Sequence, residues 1–333
     1  YSKLHQLGAM NEAVEYQAAV NAFERGEEEE ALEQIKRLAP TDQPGYPRAH
    51  NWIARRLLSQ GQLTEDTADE IDRHLAFALD REPGNLDSRA LRAQLMQQRG
   101  EFEEAAGELK TVVAMIPETG LQLAGVYLRQ GRRDEAAAEI NKVIDVLKDR
   151  ETSGKDLAAI EYVVWGHSLK ILGQQEAAEQ KLLEGYEKYP TGEEVLIDSL
   201  HEQTMSIVFQ QYHAGQAKAD SLIQRLLLAA RLKPEDPAPL ITLAQLAVLR
   251  TKLGEEINQA ADRLIAGDQA PEALFAIYGA ELAANGFESE ATPILLRALE
   301  VDADDSRTLN NLAYCLYTEG DRDNEALGFV DRA

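Results

Sequence analysis

Few residues of this 333-residue sequence have the types and spacing that catalysis or metal binding requires. His201 and Glu202 begin like the zinc-binding motif His-Glu-x-x-His, but Met205 stands where the second histidine is needed. Ser153-Gly154-Lys155 lacks the preceding glycine-rich loop that cradles phosphates, and Asp302–Ser306 lacks the glycine and closing glutamate of a calcium loop. We therefore expect no catalytic residue, no metal site and no cofactor, so this chain is not predicted to be an enzyme.

Single side chains that could react or stack ligands are better explained by packing. Cys315 lies beside an apolar helical face, where a free thiol behaves as a small core residue. The six histidines form no close pair along the sequence, which argues against a histidine-based site. Trp165 has a core spacing, whereas Trp52 is out of that register. These residues are expected to build the protein rather than to do chemistry.

The composition excludes several classes of partner. The formal net charge is −24, and an acidic chain is a poor ligand for the phosphates of nucleic acids. No apolar stretch approaches the length of a membrane-spanning helix, so no membrane insertion is expected. The first residues, Tyr1 to His5, include no apolar leader, and the single cysteine can form no intramolecular disulfide. Neither observation determines the cellular localisation, which stays unknown.

Glycines recur along the whole sequence at intervals of about 37 residues, the range of helical repeats. They are Gly26, Gly61, Gly100, Gly131, Gly173, Gly215, Gly254, Gly286 and Gly320. A small residue lies seven positions before all of these glycines except Gly215, which has Val208 there. Alanine follows five positions after several of them, at Ala31, Ala105, Ala136, Ala178 and Ala291. The pattern therefore extends beyond the glycines themselves.

This pattern predicts paired helices. Apolar residues three and four apart define one helical face, and a glycine then ends the helix in the left-handed conformation. A second helix follows, with acidic residues in its first turn, where the helix dipole stabilises them, and an alanine where the two backbones approach. Glu28, Glu103, Asp134, Glu176 and Glu288 occupy such first turns. Each helical hairpin cannot bury its apolar face alone, so neighbouring hairpins must stack.

The repeats resemble tetratricopeptide repeats. The resemblance is carried best by Tyr162–Pro190, with Trp165-Gly166 and Ala178, by Phe275–Asp305, and by Asn310–Tyr314. It implies an all-α, right-handed α-solenoid of stacked helical hairpins. Residues 1–11 are expected to form a helical N-terminal lead-in, and residues 12–333 about nine repeats, the last one truncated. The units around Gly215 and Gly254 have lost most signature residues, so their register stays open.

The resemblance also implies where a partner binds, because in similar proteins the first helices of the hairpins line a concave groove. In the early repeats, the corresponding positions hold Arg48, Asn51 and Arg55, and Arg89 lies on the next first helix. Arginine suits the planar carboxylate group, so one hypothesis is a site for an acidic or C-terminal peptide group. The alternative is that these arginines pair with neighbouring acids such as Glu82 or Asp87.

A second candidate surface lies in the last repeat. Asn310, Tyr314 and Tyr317 occupy the corresponding positions there, and tyrosine is enriched at binding hot spots. The predicted function is that of a non-catalytic scaffold that binds a peptide or partner protein in its groove. The alternative is a regulatory or substrate-docking arm of a larger enzyme. Self-association through repeat ends is a third possibility, because an uncapped end exposes apolar surface.

Overall fold

The helical hairpins predicted by the glycine pattern are present throughout the described chain. A computed structural model describes residues 11–61, 63–191, 193–267, 269–320 and 322–333; residues 1–10 of the predicted lead-in lie outside them. Within these ranges every regular element is helical and no strand occurs. The chain divides into two compact units, residues 1–157 and 158–333. The all-α fold of stacked helical hairpins is thereby confirmed.

The described part of the first unit contains eight α-helices that pack as four consecutive hairpins. They are α1 (Glu12–Glu24), α2 (Glu28–Leu38), α3 (Pro47–Ser59), α4 (Glu65–Arg81), α5 (Leu86–Arg99), α6 (Phe102–Met115), α7 (Gly120–Arg129) and α8 (Arg133–Thr152). A short 3₁₀ helix, Pro117–Thr119, connects α6 to α7. The first helices of successive hairpins also contact each other, as α3 and α5 do.

The second unit repeats this arrangement with ten α-helices in its described ranges. They are α9 (Ala159–Ile171), α10 (Gln175–Lys188), α11 (Glu194–His213), α12 (Ala219–Leu232), α13 (Ala238–Ala247), α14 (Lys252–Ala266), α15 (Glu272–Ala284), α16 (Glu288–Val301), α17 (Ser306–Glu319) and α18 (Asp323–Val330). Contacts between first helices recur here, between α9 and α11, α13 and α15, and α15 and α17. Among the helices that the structure describes, none combines the length and apolar character needed to cross a bilayer.

The small residues mark the places where paired helices approach most closely. The alanines five positions after the turn glycines are fully buried: Ala31, Ala105, Ala136, Ala178 and Ala291. On the preceding helices, a Cβ atom added to Gly166 would lie 2.6 Å from Leu182 Cγ. One added to Gly279 would lie 2.7 Å from Leu295 Cδ2. At both positions even a Cβ atom would clash unless the leucine moved. This confirms the prediction that small residues allow the paired helices to approach closely.

Eight of the nine repeating glycines have the positive φ that the prediction requires, between +66° and +87°. The exception is Gly254, which lies inside the first turn of α14 and is buried. Its amide donates a hydrogen bond to Oγ1 of the N-cap residue Thr251 at 3.1 Å. A Cβ atom at Gly254 would lie 2.1 Å from the carbonyl oxygen of Leu249. The prediction that Gly254 ends a helix was therefore wrong, because this glycine is required by a close backbone contact instead.

Candidate functional site

A depression on the first unit lies along the first helices of its hairpins. This arginine groove encloses about 620 Å³. Its lining comes mainly from α5 and α7, with one residue of α3 and three from the end of α6 and its connection to α7. The residues are Arg55, Leu86, Asp87, Ala90, Leu91, Gln94, Gln97, Val112, Ile116, Thr119, Leu121, Gln122, Gly125 and Arg129. Both apolar and amide side chains line the groove, so it can contact the side chains and the backbone of an extended peptide.

Arg55 is the predicted partner-binding residue that lies in this groove. It is exposed on α3, and within the described chain it has no carboxylate in ion-pair distance. Arg129 lines the groove from α7, and its Nη1 donates a weak hydrogen bond to Gln97 Oε1 at 3.4 Å. Asp87 contributes one opposing charge. Two guanidinium groups and one carboxylate therefore give this groove a positive excess, in contrast to the acidic chain as a whole.

Arg48 lies on the same helix but outside the groove lining. Its guanidinium stacks over the ring of Tyr16 from α1, 5.6 Å from the ring centroid. Burial raises the pKa of Tyr16, and the positive charges of Arg48 and Arg55 oppose that rise. Both arginines therefore act on the same tyrosine, and Arg48 joins α3 to the first hairpin.

Arg89 points away from the groove. Its Nη1 donates to Glu108 Oε2 at 2.8 Å, its Nη2 donates to the carbonyl oxygen of Pro83 at 2.9 Å, and Arg92 binds the other oxygen of Glu108. All three charged side chains are mostly buried between α5 and α6. The idea that a neighbouring acid pairs with the arginines therefore holds for Arg89, but the acid is Glu108 rather than Glu82 or Asp87.

Asn51 is a buried structural residue and does not line the arginine groove. Ser88 Oγ donates to Asn51 Oδ1 at 2.7 Å, and Asn51 Nδ2 donates to Asn85 Oδ1 at 3.2 Å. Asn85 in turn caps α5, because its Oδ1 accepts the amide of Ser88. Asn51 therefore ties the second hairpin to the third. The helical register predicts the face on which Asn51 lies, but not that the neighbouring hairpin covers it.

The second unit carries the other predicted surface, a tyrosine pocket of about 480 Å³ between α17 and α18. Asn310, Tyr314 and Tyr317 all line it, with Ala313, Asp323, Ala326, Leu327 and Val330. Tyr314 and Tyr317 are 55% and 69% exposed, and Leu327 is 59% exposed. The structure thus brings these three predicted residues together in one largely apolar depression.

Sequence reasoning missed a buried histidine pair. His50 on α3 and His74 on α4 lie 24 residues apart, yet their Nδ1 atoms are 2.7 Å apart. His50 is fully buried and His74 is 2% exposed. The two positions lie at similar distances on either side of the turn at Gly61, and this signal could have identified them, because such residues face each other in a hairpin. The absence of a close pair along the sequence therefore did not exclude a close pair in the folded protein.

The other side chains singled out in the sequence lie in packed surroundings. Cys315 is fully buried in the apolar core of the second unit, and burial raises the pKa of its thiol to about 11. Trp165 is 4% exposed, while Trp52 packs edge-on against Phe23 with their ring centroids 5.2 Å apart. His201 Nε2 lies 3.4 Å from Asp236 Oδ2. Within the described ranges, no group of three or more His, Cys, Asp and Glu side chains could hold a metal ion.

Comparison with known proteins shows similarity of structure only. No protein-family model matches the chain, and no curated protein matches it in sequence. Human IFIT1, solved as a dimer with m7Gppp-AAAA, is 15% identical, with 94% of this chain and 79% of that chain covered and a TM-score of 0.40.

Two bacterial structures are similar to a comparable degree. A tetratricopeptide repeat protein from Parabacteroides merdae is 13% identical over 92% of this chain and 98% of its own, with a TM-score of 0.39. One from Thermus thermophilus is 19% identical over 59% of this chain and 96% of its own, also with a TM-score of 0.39. At these low identities and TM-scores, the fold is defined by the hairpins of this chain and not by its similarity to these structures.

Proposed function

We propose that this chain is a non-catalytic protein-interaction scaffold that binds an extended peptide segment of a partner protein in the arginine groove. The observation that carries the proposal is the combination in one groove of three features: Arg55, which among the described residues has no carboxylate within ion-pair distance, a second arginine, and several amide side chains. Leu86, Leu91 and Leu121 provide apolar contacts for the peptide's side chains. We expect no cofactor to take part.

The charges of the groove favour an acidic peptide. Arg55 offers a planar donor group that suits a carboxylate, either from an Asp or Glu side chain or from a peptide's C-terminus. Gln94, Gln97 and Gln122 can pair with the peptide backbone, since each amide both donates and accepts hydrogen bonds. Arg48 is not a groove residue, so we assign it to packing against Tyr16 rather than to the peptide.

Binding of defined peptides tests this proposal. A library of ten-residue fluorescent peptides would compare acidic with neutral sequences and free with amidated C-termini. We expect acidic members to bind the intact chain, and the Arg55→Glu variant to weaken them at least tenfold, because repulsion replaces attraction. Raising the salt concentration should weaken the same complexes.

The matched control is Arg133→Glu, which reverses the charge of an exposed arginine at the start of α8, outside the groove lining. This variant should bind the acidic peptides like the intact chain. Equal losses in both variants would reduce the effect to net charge and contradict a site at Arg55. Failure of every acidic peptide to bind would contradict the proposal as a whole.

The tyrosine pocket is a second contact surface that the same scaffold offers. Its exposed tyrosines and Leu327 provide a large apolar area in one depression. A Tyr314→Ala/Tyr317→Ala double variant tests it, because both side chains are more than half exposed and their removal should leave the melting temperature nearly unchanged. If the partner binds in this pocket, the double variant will no longer bind it, whereas the Arg55→Glu variant will still do so.

A further inference from the structure

The buried histidine pair occupies the junction between the first and second hairpins. Residues 39–46 connect α2 to α3, and His50 reaches back from α3 to this connector: the amide of Gly45 donates to His50 Nε2 at 2.9 Å. The amide of Tyr46 donates to the carbonyl oxygen of Leu38, the last residue of α2, at 2.7 Å. His50 thereby holds the connector near its junction with α3, where the Tyr46 amide ties it to the end of α2.

The hydrogen bonds determine which nitrogen of each imidazole carries a proton. A backbone amide can only donate, so His50 Nε2 must be an acceptor, and the proton of neutral His50 is on Nδ1. That proton is donated to His74 Nδ1, 2.7 Å away, which must then be unprotonated. Neutral His74 therefore carries its proton on Nε2, which faces Glu70 Oε1 at 4.0 Å. Both rings are neutral in this arrangement.

The two imidazoles cannot take up a further proton without breaking one of these hydrogen bonds. Protonation of His50 at Nε2 would place two donors against each other at Gly45, and protonation of His74 at Nδ1 would do the same between the rings. The rings are buried, and the ring of Phe77 lies 5.6 Å from that of His50, so water cannot readily replace a lost bond.

The positive charges around the pair add to this resistance to protonation. Arg81 faces His50 and Arg73 acts on His74, while Glu70 is the acidic group beside His74. Arg81 is itself held by Glu12 of α1 in a paired contact of 2.7 and 3.0 Å, and Tyr46 and Glu82 also act on it. Burial lowers the pKa of both histidines to about 4, assisted by His74 and Arg81 for His50 and by Arg73 for His74.

We propose that His50 and His74 form an acid-sensitive latch that holds the connector 39–46 and the first hairpin against the second, and that uptake of a proton by the pair releases them. The same Gly45 is bound from α4 as well, because Arg81 Nη1 donates to its carbonyl oxygen at 2.7 Å. A proton on His50 would place a new positive charge close to Arg81, so the contact that remains would be weakened too. This latch is independent of the peptide function proposed above.

Hydrogen–deuterium exchange at controlled pH tests the latch in the full chain. After correction for the intrinsic pH dependence of exchange, protection of the connector amides and of α1 and α2 should fall between pH 6 and pH 5. The expected fall is roughly tenfold for each proton taken up. Protection of α15 and α16, in the second unit, should stay constant over the same range.

A non-titrating pair separates the latch from general acid effects. In the double variant His50→Gln/His74→Asn, Gln Oε1 can accept the Gly45 amide, and its Nε2 can donate to Asn Oδ1. We expect this variant to keep the connector protected at pH 5. His213→Gln, at an exposed histidine of α11, is the matched control and should lose protection like the intact chain. The same acid response in the double variant would overturn the proposal.

Nuclear magnetic resonance titration of the intact chain gives a second test that needs no variant of the pair. The ring resonances of His50 and His74 should stay in their neutral form well below pH 6. Titration of both histidines near pH 6.5 without loss of the first hairpin would also overturn the latch.

Discussion

Two regions of this protein, helices α1–α5 and helices α11–α18, hold their hairpins together in different ways. In the first unit, the apolar cluster around Ile35 and Ile53 is separate from that around Ile71 and Leu75. The buried polar residues His50, Asn51 and His74 lie on the same helices. In the second unit, one continuous apolar cluster extends through the helices α11 to α18. Hydrogen bonds between buried polar side chains therefore contribute to the contacts among α3, α4 and α5, whereas one apolar cluster joins α11 to α18.

One repeat pattern can therefore produce two kinds of cooperativity. A hydrogen-bonded junction depends on the protonation state and on the exact partner of each atom, so a single change can release one hairpin. A continuous apolar core has no such weak point, but each hairpin relies on its neighbours for burial. The junction formed by α3, α4 and α5 should therefore respond locally, and the helices α11–α18 as a whole.

The largest effect is expected from a cavity in the second unit. Leu312 is fully buried in the shared cluster, so Leu312→Ala should lower the free energy of unfolding by about 2–5 kcal/mol. Hydrogen exchange should rise across α11–α18 rather than in α17 and α18 alone. Leu327→Ala, at a residue that is 59% exposed, is the control and should change little. Exchange confined to the last hairpin would contradict the idea of one cooperative core.

A smaller effect is expected from the polar junction of the first unit. Asn51→Ala leaves Ser88 Oγ without its acceptor, and should cost about 1–3 kcal/mol. Asn310 occupies the equivalent place in the last repeat but is exposed. Asn310→Ala should therefore change the free energy of unfolding by no more than about 0.5 kcal/mol. Chemical denaturation followed by circular dichroism measures both. Equal costs at the two asparagines would remove the contrast between the units.

The smallest effect should be the same in both units. Gly131 and Gly286 have φ angles of +75° and +81°, and a Cβ atom added to either would meet nothing within 4 Å. Replacing either glycine by alanine should therefore cost only backbone strain, about 1 kcal/mol. Thermal melting of Gly131→Ala and Gly286→Ala compares them. A large difference would mean that the turns, and not only the junctions, differ between the units.

The repeat pattern predicted most of the fold because helix ends and close helix contacts are local properties. Gly173 and Gly286 end their helices as predicted. Gly166 and Gly279 lie at close contacts between paired helices, where a larger residue would clash. Gly254 was misassigned because glycine serves two purposes, a left-handed turn or a close backbone approach. Spacing alone cannot distinguish them where the other signature residues are missing.

The candidate sites were predicted less completely. Arg55 lies in the arginine groove, and Asn310, Tyr314 and Tyr317 share one pocket. Arg89 and Asn51 were placed on suitable helices, but neighbouring helices determine what they contact, through Glu108 and Ser88 respectively. A repeat position specifies the face of a helix approximately, whereas pairing depends on side chains that come from elsewhere in the chain.

The amino-acid sequence by itself determined the helical hairpins, their turns, the acidic first turns of the second helices and the burial of Cys315 and Trp165. All of these depend on backbone conformation and on the spacing of apolar residues within about 40 positions. Only the tertiary structure decided that His50 and His74 form a hydrogen bond, that Arg89 pairs with Glu108, and that Arg55 has no carboxylate within ion-pair distance among the described residues. The physical reason is that hydrogen bonds and ion pairs act over a few ångströms, and the folding of each hairpin against the next sets those distances.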